Sequence, residues 1–117
     1  MNHKTDKERL KKIILTYEKL NNYLKTHKIS KDSILNDYTV QWTVTTPLYN
    51  IGEQTYQVSK EWKCTYPRIP WSKVAGLKHR LVHDYDGTNW DIIVLIIYES
   101  LPLYINELNK IIIELDK

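Results

Sequence analysis

With 117 residues, 42% of them apolar, the chain has material for one domain with a real core, and its single cysteine, Cys64, excludes an internal disulfide or a cysteine-rich metal site. A net charge of +3 is too small to establish nucleic-acid binding by itself. The charged start, Met1 to Lys12, lacks an apolar stretch of signal-peptide length, and the longest apolar run, Ile92 to Tyr98, is too short to span a bilayer, so a cytoplasmic protein with no membrane partner is expected.

From the N-terminus, Leu10, Ile13, Ile14, Tyr17, Leu20 and Leu24 follow the three-four spacing of one helix face and predict a helix over Lys7 to Thr26. Asp6 is its expected cap, and Glu8 and Lys12 an i,i+4 pair. Ser30 to Asp37 reads as cap residues around a short helical turn. Tyr38 to Thr65 reads as one longer helix with Val44, Leu48, Ile51, Thr55, Val58 and Trp62 inward. Pro47 predicts a kink within it. Gly52 costs roughly 1 kcal/mol against alanine at mid-helix, which points to close approach of another helix.

Tyr66-Pro67-Arg68-Ile69-Pro70 breaks that helix, and Pro70 starts a third with Val74, Leu77 and Leu81 inward, ending near Asp84 before an Asp86-Gly87 turn. Thr88-Asn89 can cap the next element. The run Ile92-Ile93-Val94-Leu95-Ile96-Ile97 suits a buried strand as well as a buried helix; with no partner strand in view, a helix is expected. Ser100 is read as the cap of a final helix with Pro102 in its first turn and Leu101, Tyr104, Ile105, Leu108, Ile112 and Leu115 inward. These elements make an all-α, antiparallel bundle of four to five helices in a single domain over residues 1–117.

Chemistry concentrates in Lys78-His79-Arg80-Leu81-Val82-His83-Asp84-Tyr85-Asp86-Gly87. Arg80 and His83, three apart, share a helix face, as do His79 and His83, four apart. Lys78 lies about 140° from His83 around an ideal helix, within reach of a long flexible stem where the helix is ending. A histidine flanked by fixed cations suits phosphodiester chemistry, since one group moves a proton while the others hold phosphate charge. Two readings compete with this one. A solvated helix end uses the same cations to complement its dipole, at about 0.3–1 kcal/mol each. Histidines at i,i+4 can also grip zinc, but Arg80 between them opposes a dication, so no metal is expected. Glu53 is the one acid flanked by core positions, and Lys78 or Arg80 is its expected partner. No glycine-rich phosphate loop, catalytic serine arrangement or paired-carboxylate site is present, and no cofactor is expected.

Ile51-Gly52-Glu53, Tyr66-Pro67-Arg68-Ile69-Pro70-Trp71, the segment Gly76 to Gly87, and Leu101-Pro102 resemble in order and spacing the HepT-like proteins of the HEPN superfamily, helical toxins partnered with minimal nucleotidyltransferase (MNT) antitoxins. The resemblance implies a homodimeric HEPN bundle with two copies of the central segment in one cleft. It also implies a metal-independent endoribonuclease that leaves a 2′,3′-cyclic phosphate. Carried over, His83 takes the histidine role and Tyr85 the tyrosine role, the latter as a target for adenylylation by an MNT antitoxin. His79 takes the polar position, and Lys78 stands where the family has arginine. Lysine is a hydrated point charge without the planar two-pronged grip of arginine, so Arg80 is the expected substitute. On this reading Lys78, Arg80 and His83 are catalytic, while His79, Tyr85 and Glu53 support them. The alternative is an inactive HEPN module that dimerises and binds or presents substrate to a nucleotidyltransferase.

Overall fold

A computed structural model describes residues 3–82 and 87–117, with side chains from 5–81 and 87–117. The described residues form helices and connecting turns, with no strand. Four long helical segments make the body: α1 (His3–Thr26), α3 (Tyr38–Gln57), α5 (Trp71–Val82) and a C-terminal helix comprising α6 (Trp90–Leu95), a π-helical turn (Ile96–Ser100) and α7 (Leu101–Leu115). Two short helices, α2 (Lys31–Asn36) and α4 (Lys60–Thr65), complete it. α3 packs between α1 and α5, and α1 also lies against α7. No helix among the described residues is long and apolar enough to cross a membrane.

The inward positions read from the pattern are buried almost throughout. Leu10, Ile13, Val44, Leu48, Ile51, Val74, Leu77, Leu101 and Leu108 are fully enclosed. At the C-terminus the stripe moves to Ile111, leaving Ile112 half-buried and Leu115 exposed.

Several expectations need correction. The first concerns Asp6. Helix α1 starts at His3, so Asp6 lies in its first turn and does not cap it. The carboxylate is buried and reaches across to α4, accepting from the Ser59 amide at 2.9 Å and the Ser59 hydroxyl at 2.7 Å.

This contact explains the second correction. Tyr38 to Thr65 is two helices, with Val58 and Ser59 in extended backbone between them. Ser59 Oγ accepts from the Trp62 amide at 3.2 Å, so Ser59 caps α4 while its own donors are held by Asp6. The kink falls here, and the helix runs unbroken through Pro47. Replacing Asp6 by alanine would leave two buried donors unpaired. The expected loss is about 2–3 kcal/mol, read as a lower urea midpoint at unchanged slope, with Asp6→Asn losing less because it keeps one acceptor.

The third correction concerns Ser100, which has helical backbone and no capping bond. The aliphatic run is helical, capped by Asn89 Oδ1 accepting from Ile92 N at 3.2 Å, and it passes directly into α7. Proline lacks an amide hydrogen, and its ring collides with the carbonyl four residues back, here that of Tyr98. The turn just before Pro102 widens to π geometry, with Leu101 N donating to Ile96 O, and the helix continues. Glu8 and Lys12 also form no ion pair with each other.

The close approach expected at Gly52 is present. A Cβ there would stand 2.8 Å from the Lys78 backbone nitrogen and 3.1 Å from Leu77 Cβ, so α3 and α5 touch backbone to backbone. Deeper in the core, the Thr55 hydroxyl and the Tyr104 hydroxyl bond at 2.6 Å. Burial pushes the Tyr104 phenol well above the usual tyrosine range. Trp71 packs edge-on against Tyr104 and donates its indole N–H to the Tyr66 carbonyl at 2.9 Å, which anchors the start of α5.

Candidate functional site

Helix α5 leaves the Pro70 turn with Val74, Leu77 and Leu81 fixed in the core, and this fixes where its other residues go. Lys78 falls at the edge facing α3, while His79 and Arg80 fall on the exposed side of the last described turns. All three lie in the last described turns of α5, at the negative end of its dipole. His83 and Tyr85 lie outside the described residues. The Arg80 carbonyl accepts the Thr88 hydroxyl at 3.2 Å, which joins the end of α5 to the approach to α6.

The Lys78 ammonium stands 2.8 Å from Glu53 Oε2, across the contact that Gly52 makes possible. The second Glu53 oxygen accepts from the Gln57 amide at 3.0 Å. The ammonium also lies 5.1 Å from the centre of the Tyr56 ring, a cation–π arrangement. Of the two partners considered for Glu53, the structure selects Lys78. The lysine remains about one-third exposed. An ammonium has three donors, so the bond to Glu53 leaves others for a ligand.

The electrostatics of the pair follow from this contact. The bond from Lys78, and then that from Gln57, hold the Glu53 carboxyl below its ordinary 4.5. The bond to Glu53 raises the Lys78 ammonium above its ordinary 10.5. A lowered acid contributes stability above its unfolded pKa and loses it as pH falls through the folded value; a raised base contributes below its unfolded pKa and loses it as pH rises through the folded one. The pair therefore supports the fold through the neutral range and fails in acid and in strong alkali. Replacing Glu53 by glutamine should lower stability at neutral pH, and the gap to the natural protein should close as pH falls below 4.5. Urea midpoints across that range measure it.

Tyr49, Tyr56 and Gln57 were not read from the sequence as part of this cluster, yet they stand at i−4, i+3 and i+4 from Glu53 on α3. That helical spacing is the signal that could have found them. The outer side of α3 carries exposed Tyr38, Trp42 and Tyr56, and Glu53 is the only charged residue among its 20 positions. Elsewhere, a cleft of about 320 Å³ between the start of α5 and α7 is lined by Arg68, Lys73, Ser100, Leu103 and Glu107. It contains none of the candidate site residues Glu53, Lys78, His79 and Arg80. Among the described residues no group of three or more His, Cys, Asp or Glu could hold a metal ion.

Comparison with known proteins gives a consistent result. The family model described as ribonuclease HepT-like matches residues 8–111. The chain is similar to "Putative RNase MJ0127" of Methanocaldococcus jannaschii, at 32% identity over 91 residues, 78% of this chain and 75% of that one. It is similar to "Putative RNase TTE0752" of Caldanaerobacter subterraneus, at 30% over 74 residues, 63% of this chain and 66% of that one. It is also similar to "Probable ribonuclease HepT" of Thermococcus cleftensis, at 29% over 77 residues, 66% of this chain and 70% of that one. No solved structure gives a significant match.

Proposed function

The chain belongs to the ribonuclease HepT-like family, and on that premise we propose that it is a metal-independent endoribonuclease and the toxin of a HEPN/MNT toxin–antitoxin pair. The observation that carries the reading is the end of α5. An exposed Arg80 and a one-third exposed Lys78, steered by Glu53, stand within five positions of His83 on a segment that the family match includes.

In this proposal a ribose 2′-hydroxyl attacks the adjacent phosphorus. The phosphorus–5′-oxygen bond breaks, a 2′,3′-cyclic phosphate forms, and the 5′-oxygen leaves with a proton. His83 serves as the base that takes the 2′ proton or the acid that supplies the 5′ one; its ordinary pKa, about 6.5, suits either task near neutrality. Arg80 neutralises the charge that develops on the non-bridging oxygens, and Lys78 adds to it with the donors that Glu53 leaves free. His79 and Tyr85 position the strand.

The aromatic face of α3, on which Glu53 is the one charged residue, is the surface we assign to the second copy in a homodimer, since interface cores are depleted of charge and enriched in Tyr and Trp. Docking there would bring two Lys78–Glu53 pairs and two α5 ends to one groove. Tyr85 is the residue that a nucleotidyltransferase antitoxin would adenylylate, blocking that groove.

The Lys78–Glu53 bond also favours a second reading. It occupies the cation that stands where the family has arginine, as expected of a non-cutting module that binds or presents substrate to its partner. Expression alone and together with an MNT partner separates the two. Growth arrest relieved by the partner, with RNA cut by the purified protein to 2′,3′-cyclic ends, supports the toxin. Harmless expression and uncut RNA, unchanged by Lys78→Arg, support the module.

A further inference from the structure

The charge of the chain is segregated. Residues 1–31 hold nine Lys or Arg against three acids, whereas residues 32–117 hold eight against eleven. The whole positive excess therefore sits on α1 and the turn after it. Lys11, Lys12, Lys19 and Lys25 are exposed on the side of α1 opposite Leu10, Ile13, Leu20 and Leu24. Lys12, Lys19 and Lys25 form no ion pair among the described residues. From Lys12 to Lys25 the helix rises about 20 Å, which is room for several phosphates in a row. Lys25 and Lys28 also complement the α1 dipole, but Lys12 and Lys19 lie well before the last turn, where that effect has decayed. Around the helix Lys12 and Lys19 stand within about 20° of each other and Lys25 about 120° further round, so with Lys11 they wind along the outer side of α1, outnumbering the two exposed acids there, Glu8 and Glu18, and suit a polyanion that crosses the helix obliquely.

We propose that the outer face of α1 is a second RNA contact, binding the phosphate backbone without reading sequence. α3 separates it from α5, so it is distinct from the cleavage site. It rests on the ribonuclease reading only for the identity of the polyanion. Affinity and its salt dependence would come largely from α1, while α5 supplies the chemistry.

The test is fluorescence anisotropy of the full chain with a labelled single-stranded RNA whose 2′-O-methyl riboses prevent cleavage. The triple variant Lys12→Gln, Lys19→Gln, Lys25→Gln should bind roughly tenfold more weakly at about 0.1 M salt. Its plot of log affinity against log salt should be shallower by about 2, at about 0.7 per lost phosphate contact. The matching triple arginine variant should keep both values. Unchanged affinity and slope in the glutamine variant, or no binding of this RNA by the natural protein, would overturn the proposal, and a separate assay with unmodified RNA reports on the ribonuclease reading. If the glutamine variant loses binding and the natural protein leaves unmodified RNA uncut, the α1 surface stands and the ribonuclease reading falls.

Discussion

His83→Ala removes RNA cleavage, by about 10²–10⁴-fold or more, while leaving the helical signal and the urea midpoint unchanged. The magnitude is that of losing one positioned proton-transfer group. The expected loss is chemical because the proposal gives His83 the proton transfer, and an unchanged urea midpoint checks that the fold is kept. The rate should depend on pH through the imidazole, and a cell carrying the variant should grow without the partner. Arg80→Ala should lower the rate too, yet keep the pH profile, because it removes phosphate charge without moving a proton. A His83→Ala protein that cuts RNA at the natural rate would end the assignment. The same result for Arg80→Ala would leave only the proton-transfer half of it.

Gly52→Ala and Gly76→Ala should shift stability in opposite directions. Both glycines are helical, and alanine is favoured over glycine there by about 1 kcal/mol. At Gly76 a Cβ would meet nothing within 4 Å, so the gain is realised and the protein is stabilised by about 0.5–1 kcal/mol. At Gly52 the added carbon would stand 2.8 Å from backbone, which no rotamer change relieves. Moving α5 away from α3 should cost about 1–3 kcal/mol, more than the propensity gain. The displacement also has a functional consequence. Glu53 is the next residue along α3, and Lys78 supplies the nitrogen that is struck, so the ion pair should lengthen and its pH dependence weaken. Urea midpoints of both variants, measured at neutral pH and below 4.5, check both parts. Equal stabilisation by the two alanines would contradict the packing described for α3 and α5.

Most of the core was legible because burial follows helical period. Val74, Leu77 and Leu81, or Leu101, Tyr104, Ile105 and Leu108, can face a neighbour only together. Gly52 was legible for the converse reason, since a mid-helix glycine is costly unless something approaches it. The site was legible as a cluster of residue types. Its pairing was open between Lys78 and Arg80, two residues apart and so nearly opposite on the helix, and only the packing of α5 on α3 turned Lys78 toward Glu53.

The amino-acid sequence thus determined the helical class, the inward faces and the segment where the chemistry is concentrated, because period, caps and residue types act over a few neighbouring positions. The tertiary structure decided where the long helix divides at Ser59, how Pro102 is accommodated and which cation is tied to an acid. Each of those depends on a group distant along the chain or on the exact turn of a helix. Asp6 reaches Ser59 across 53 positions, and Glu53 meets Lys78 only because two helices touch at a residue without a side chain.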